Sequence, residues 1–339
     1  MRRFGVIACV CLLAVAACSS SNKKSKPSAN HVDLGSASAA SFTAHGSVGQ
    51  VYVLGAGKQQ TLDLVDGKSD KVATGTTDVG GSLIFRGIAV GTGYRVATSD
   101  HAHASAPVDV TAWDAPPPES FYDNQHIENG YGYITMRDGV QLSMTVKLPG
   151  PADKGPYPTV VEYSGYSPAD PKSPQPSTLI TQNLGYATVG VNMRGTGCSG
   201  GAFQFFEPLQ STDGYDIIET IAAQPWVKNH MVGMVGISYP GISQLFTAEL
   251  NPPHLAAIAP LSVIDDTAKG TLAPGGILNS GFAVGWARDR EHDSQAAPAG
   301  GQQWAIDRVK AGDKTCLANQ VLHRQAPNIL QTIDDNRYW

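Results

Sequence analysis

Between Met231 and Phe246 the apolar pattern of the chain changes period, and that change restricts the fold more than any other stretch. Met231, Val232, Met234 and Val235 lead into Gly236-Ile237-Ser238-Tyr239-Pro240-Gly241, after which Ile242, Leu245 and Phe246 fall at helical spacing. A buried strand turning at once into a helix fits this pattern. A serine at such a turn sits in a strained position that lifts its hydroxyl clear of the sheet's carboxyl edge, beside the first free amides of the helix. The stretch reads as a nucleophile elbow with one departure: Pro240 stands where the usual pattern has a second close glycine, and Gly241 follows it. Proline is tolerated in the first helical turn, where its missing N–H costs little.

The residues before the elbow supply a sheet to carry it. Val140, Leu142, Met144, Val146 and Leu148 alternate with polar residues after a strand at Tyr133–Met136 and a turn at Arg137-Asp138-Gly139, which predicts a hairpin with one buried face. Apolar runs follow at Thr159–Tyr163, Ala187–Val191, Met231–Ile237 and Ala256–Leu261, with helical stretches between them; the clearest, Asp213–Ala223, has Thr212, Asp213 and Asp216 suited to its amino end. Strands alternating with helices after a hairpin predict an α/β mixed sheet that becomes parallel. A serine elbow on such a sheet is the α/β-hydrolase arrangement, expected here over residues 125–264.

The amino-terminal third is organised differently. Met-Arg-Arg, an apolar run from Phe4 to Ala17 and then Cys18 read as a secretory signal over 1–17 ending in a lipobox. Cys18 is then the lipidated first residue of an extracytoplasmic protein anchored to the cell membrane, because several acyl chains bind a bilayer durably. Residues 18–45 are Ser-, Asn-, Lys- and Ala-rich and read as a disordered tether. Short β-branched runs separated by glycine turns predict a small all-β sandwich over 46–112, resembling bacterial immunoglobulin-like modules, and Ala115-Pro116-Pro117-Pro118 marks a Pro-rich linker over 113–124.

Net charge −5 and a pI near 6.0, with no basic stripe, argue against a nucleic-acid partner. No CxxC, HExxH or paired His/Cys spacing supports a metal, and no cofactor is expected. Gly195-Thr196-Gly197-Cys198-Ser199-Gly200 has GxGxxG spacing, but the following Gly201–Pro208 stretch does not open a helix directly, so no pyrophosphate cradle forms. The glycines are expected to make a tight loop, with Arg194 a structural ion-pairing residue. An oxidising exterior permits a Cys198–Cys316 disulfide without establishing it.

Ser238 needs an oxyanion site as well as exposure. The Tyr239 backbone amide is one donor. The loop after the third strand, Glu162–Pro168, has no run of glycines to present amides, which leaves the phenol of Tyr166 as the second.

The combined order of Tyr133–Val140, Tyr166, Arg194–Gly197, Gln224-Pro225-Trp226, Val232-Gly233-Met234 and Gly236–Gly241 resembles the cocaine esterase and X-prolyl dipeptidyl peptidase family, from about Gln125 to Leu278. The resemblance implies Ser238 as nucleophile, with the Tyr166 hydroxyl and the Tyr239 amide as oxyanion donors. It implies an ester or peptide as substrate, cleaved through an acyl-enzyme. It also makes 265–339 the start of a helical cap, with the acid and base of the triad lying beyond it. His254, His292 and His323, like Asp265 and Asp266, match neither position. The sheet is therefore expected to be incomplete, with a downstream polypeptide finishing it. The alternative from another class is a non-catalytic surface lipoprotein using the same scaffold for binding.

Overall fold

The computed structural model describes residues 30–204 and 206–336. The expected signal segment and the lipidation site Cys18 lie outside the described residues. Among the described residues nine short strands come first: β1 (Ser38–Ala39), β2 (Thr43–Gly46), β3 (Gln50–Leu54), β4 (Thr61–Val65), β5 (Lys71–Thr76), β6 (Leu83–Arg86), β7 (Gly91–Thr98), β8 (His103–Ala104) and β9 (Val108–Val110). They form one sheet in the order β1-β8-β7-β4-β5, with β9 also on β7, and a second in the order β2-β3-β6. Val51 and Val53, Leu62 and Leu64, Leu83 and Phe85, and Tyr94 and Val96 bury one core between the sheets, each pair two residues apart as strand periodicity requires.

The expectation of a tether over 18–45 fails for its second half. Val32, Leu34 and Phe42 are buried, and β1 and β2 pair into the two sheets. These three apolar side chains give the segment enough surface to bury, despite its polar composition. The proline-rich stretch is likewise docked in part: α1 (Glu119–Asp123) places the Tyr122 hydroxyl 2.9 Å from an Asp216 carboxylate oxygen.

The carboxyl-terminal module is a mixed six-stranded sheet with helices. Its strands β10 (Gly130–Thr135), β11 (Gln141–Lys147), β12 (Tyr157–Ser164), β13 (Ala187–Asn192), β14 (Val227–Ile237) and β15 (Leu255–Leu261) lie in the order β10-β11-β13-β12-β14-β15. The first three in this order pair antiparallel, and β13, β12, β14 and β15 run parallel. With α2 (Pro176–Asn183), α3 (Pro208–Ala222) and α4 (Tyr239–Glu249) connecting the parallel strands, this is the α/β-hydrolase sheet. The segment after β15 is helical: a π-helical turn at Thr267–Leu272, then α5 (Phe282–Asp293), α6 (Gln303–Lys310), α7 (Lys314–Asn319) and α8 (Ile329–Asn336). Asp266 caps the π turn by accepting from the Lys269 amide at 2.8 Å. Cys198 and Cys316 form a disulfide that ties the glycine loop after β13 to α7.

The two modules share buried structure. Tyr52 and Ile84 point away from the sandwich interior and join the core of the hydrolase module, so sheet β2-β3-β6 is covered on both faces. Tyr52 donates to the Asp138 carbonyl at 2.8 Å, and Ser47 donates to the Asp138 carboxylate at 2.7 Å. Near this junction burial pushes the Glu207 carboxyl up to about 7, against the pull of Arg194 and Arg86. Its folded value exceeds its unfolded one, so the stability it contributes is present below about pH 4.5 and lost as pH rises through about 7. Glu207→Gln is expected to remove that dependence: between pH 5 and pH 8 the wild type should lose about 2–3 kcal/mol more than the variant, read as the shift in urea midpoint.

Candidate active site

Ser238 occupies the turn between β14 and α4 with φ 68° and ψ −122°. A residue with a side chain adopts such a conformation at a cost on the order of 1–3 kcal/mol, and surrounding structure must hold it there. Here the Ser238 amide donates to the Leu261 carbonyl at 2.9 Å, and the Ser238 carbonyl accepts from Gly241 and Ile242 at 2.8 and 2.9 Å. The glycines serve close approach. A Cβ at Gly236 would lie 2.5 Å from the Pro240 Cβ, and one at Gly241 would lie 2.4 Å from the Leu261 carbonyl oxygen. Gly241 thus does the packing work of the second close glycine, one place later. The Tyr239 amide lies at the first helical position, where the helix offers it no acceptor.

Tyr166 reaches the same point from the loop after β12. Its hydroxyl is 3.2 Å from Ser238 Oγ, and both residues are half-buried. The loop is pinned through its backbone: the Tyr166 carbonyl accepts from Asn192 Nδ2 at 3.0 Å and from Gln302 Nε2 at 2.6 Å, and the Gly165 carbonyl accepts from Gln302 at 3.1 Å. Gln302 Oε1 in turn accepts from Asn192 at 2.9 Å and from the Trp304 indole at 2.8 Å. Trp286, on α5, donates its indole N–H to the Tyr166 hydroxyl at 3.1 Å. Trp286 and Gln302 have no sequence signature for these roles, standing 120 and 136 residues from Tyr166.

Beside Ser238 opens a cavity of about 230 Å³ whose walls include Phe206, Tyr239, Val263, Leu272, Phe282 and Trp286. Among the described residues that line it, none is charged. An apolar recess of this kind next to a hydroxyl and two donors suits an uncharged acyl group.

The other sequence candidates lie elsewhere. His254 is at the start of β15, at the opposite edge of the sheet from Ser238, and pairs with Glu219 at 2.6 Å. His323 is buried between the carbonyls of Ser199 (2.8 Å) and Gln295 (3.4 Å), and burial lowers its basicity. His292 is exposed beside Asp293. Among the described residues no histidine nitrogen is hydrogen-bonded to Ser238. Arg194 is buried and paired: Nη2 and Nε meet Asp213 at 2.5 and 2.7 Å, and Nη1 meets Asp138 at 3.1 Å. The glycine loop after it closes on itself through Gly195 N and Gly200 O at 2.8 Å, and among the described residues no helix begins until Pro208. Among the described residues no cluster of His, Cys, Asp or Glu is arranged for a metal.

Known proteins resemble parts of this chain. Cocaine esterase from a Rhodococcus species is 32% identical over 158 residues, covering 45% of this chain and 27% of its own. A Mycobacterium tuberculosis protein named as a serine esterase is 30% identical over 178 residues, covering 47% of this chain and 28% of its own. The matched stretch therefore spans less than a third of either relative. A solved CocE/NonD family hydrolase from Staphylococcus aureus aligns with a TM-score of 0.48 and 22% identity, over 61% of this chain and 36% of that one. The family model for X-Pro dipeptidyl-peptidase (S15 family) matches residues 138–339, from the hairpin turn through the elbow and the helices that follow β15. That match takes in more than half of the sequence, and the chain belongs to the X-Pro dipeptidyl-peptidase (S15) family.

Proposed function

We propose that this chain is a serine hydrolase that cleaves carboxylic esters through an acyl-enzyme on Ser238. The observation that carries the reading is the 3.2 Å approach of the Tyr166 hydroxyl to Ser238 Oγ at a strained elbow, beside the Tyr239 amide. In the first step Oγ bonds to the ester carbonyl carbon, and the carbonyl oxygen becomes an oxyanion received by the Tyr166 O–H and the Tyr239 N–H. The bond to the leaving alcohol then breaks, and the alcohol departs with the serine proton. Water cleaves the acyl–serine ester in a second step and releases the acid.

The proton needs a carrier. An imidazole is the expected base, and the proposed source is a further stretch of polypeptide pairing along β15. Supporting this, β15 is the outer strand of the sheet, and Leu261 and Val263 at its carboxyl end are exposed. The substrate reading favours an ester of an uncharged acid over a dipeptide. A dipeptidyl substrate brings a free ammonium group, and among the described residues lining the cavity there is no carboxylate to pair with it. A lipid anchor at Cys18 and an extracytoplasmic location remain part of the proposal. The Cys198–Cys316 disulfide supports an oxidising compartment.

A fluorophosphonate probe tests the catalytic reading. Label is expected on Ser238 of the wild type when the polypeptide that supplies the imidazole is present, and none on Ser238→Ala under the same conditions. A wild-type chain that melts cooperatively and takes no label even with that polypeptide present would instead support a non-catalytic binding scaffold, the reading favoured by the lack, among the described residues, of an imidazole at Ser238.

A further inference from the structure

We infer that Trp286 is a positioning residue that aims the proton of the Tyr166 hydroxyl at the oxyanion. This rests on the reading of Ser238 as nucleophile and Tyr166 as oxyanion donor. A phenol has one proton to give and lone pairs with which to accept, whereas an indole nitrogen only donates. Trp286 Nε1 lies 3.1 Å from the Tyr166 oxygen, so the phenol must accept there. Its own proton then turns away from Trp286, toward the side on which Ser238 Oγ stands at 3.2 Å.

The rest of Tyr166 is already fixed, which leaves this rotation as the remaining freedom. Gln302 and Asn192 hold its carbonyl. The Arg290 guanidinium covers its ring face at 4.9 Å and the Trp286 ring at 5.8 Å, and is itself held by Asp293 at 2.8 Å. The Trp286 ring packs edge-on to Tyr239 at 5.4 Å and stacks at 6.5 Å from Phe206. Packing therefore places the indole, and its N–H acts on the phenol. Without that N–H the phenol proton is free to point away from the developing charge, and the hydrogen bond must be reorganised in the transition state. Preorganised donors avoid that reorganisation.

Trp286 also walls the cavity, and the two roles are separable. Replacement of Trp286 by benzothienylalanine, which keeps the ring shape and puts sulfur in place of N–H, removes only the donor; Trp286→Phe is the second variant. Both are compared with the wild type in the concentration dependence of fluorophosphonate labelling, which separates reversible binding from the bond-forming step. Each variant is expected to slow the bond-forming step about tenfold, the worth of roughly one hydrogen bond; binding should change by less than about twofold in the benzothienylalanine variant, and weaken in Trp286→Phe, which also trims the cavity wall. In a Tyr166→Phe background neither variant should slow it further. An equal slowing in that background, a loss confined to binding, or no change in either variant would overturn the inference while leaving Ser238 as nucleophile. No labelling of the wild type would remove the nucleophile reading and this inference with it.

Discussion

Tyr166→Phe is expected to slow the acylation of Ser238 by about 100- to 1,000-fold while leaving the fold intact. The loss is large because the oxyanion would keep one donor, the Tyr239 amide, where it had two. The fold should survive because the ring stays in place: its edge-on contact with Tyr239 at 5.7 Å and the Arg290 guanidinium above it do not involve the hydroxyl. Its backbone clamps through Gln302 and Asn192 are equally untouched. Tyr239→Phe is the matched control. Its hydroxyl is buried and turned to Gln210 at 3.3 Å, and its assigned part in the oxyanion site belongs to the main chain. That variant should label within a few-fold of the wild type. Equal rates for Tyr166→Phe and the wild type, measured with a fluorophosphonate or an activated ester, would show that the phenol takes no part.

What the sequence disclosed follows from the range of each interaction. The elbow was legible because strand, turn and helix are consecutive, although the Leu261 carbonyl that helps to hold Ser238 comes from the next strand. The sheet was legible for the same reason: the apolar runs fall on β12 to β15 with ends displaced by only a few residues. Tyr166 was legible from its place after the third strand and from the lack of a run of glycines in its loop. Trp286 and Gln302 were not found, because an α-helical tryptophan and a glutamine at the start of a helix carry no local mark of a partner more than a hundred residues away. The disulfide stayed open for that reason too, its cysteines being 118 residues apart.

The acidic residues of α3 show how local reasoning misleads. Asp213 and Asp216 were expected to serve a helix amino end, but α3 begins at Pro208 and both aspartates lie inside it, buried against Arg194 and Arg137. A carboxylate in a helix satisfies both patterns. Only the partner arginine, delivered from the loop after β13 or from the β10–β11 turn, decides between them.

Arg194→Met is expected to destabilise the protein by about 3–5 kcal/mol, because it strands two buried carboxylates without their counter-charge. Arg194 is 2% exposed, and Asp213 and Asp138 flank it on two sides. The cluster joins the loop after β13, helix α3 and the β10–β11 turn, and Ser47 extends it into the sandwich. Asp138 is held below the usual carboxylate range: burial alone would raise it, and Arg194 with the Ser47 hydroxyl outweighs that. Removing the guanidinium reverses this balance, and the penalty falls on both modules at once. The triple variant Arg194→Met, Asp138→Asn, Asp213→Leu is expected to recover most of the loss, since the cost lies in unpaired buried charge rather than in missing ion pairs. The Asp138→Asn change keeps one side-chain carbonyl to accept from the Val140 amide, which donates to Oδ1 at 3.2 Å, while the Ser47 hydroxyl, which donates to Oδ2 at 2.7 Å, turns to accept from the new amide nitrogen. Urea unfolding of the wild type, the single and the triple variants separates the cases. A single variant within about 1 kcal/mol of the wild type, or a triple variant no better than the single, would mean that the paired guanidinium is not what holds the glycine loop, α3 and the sandwich together.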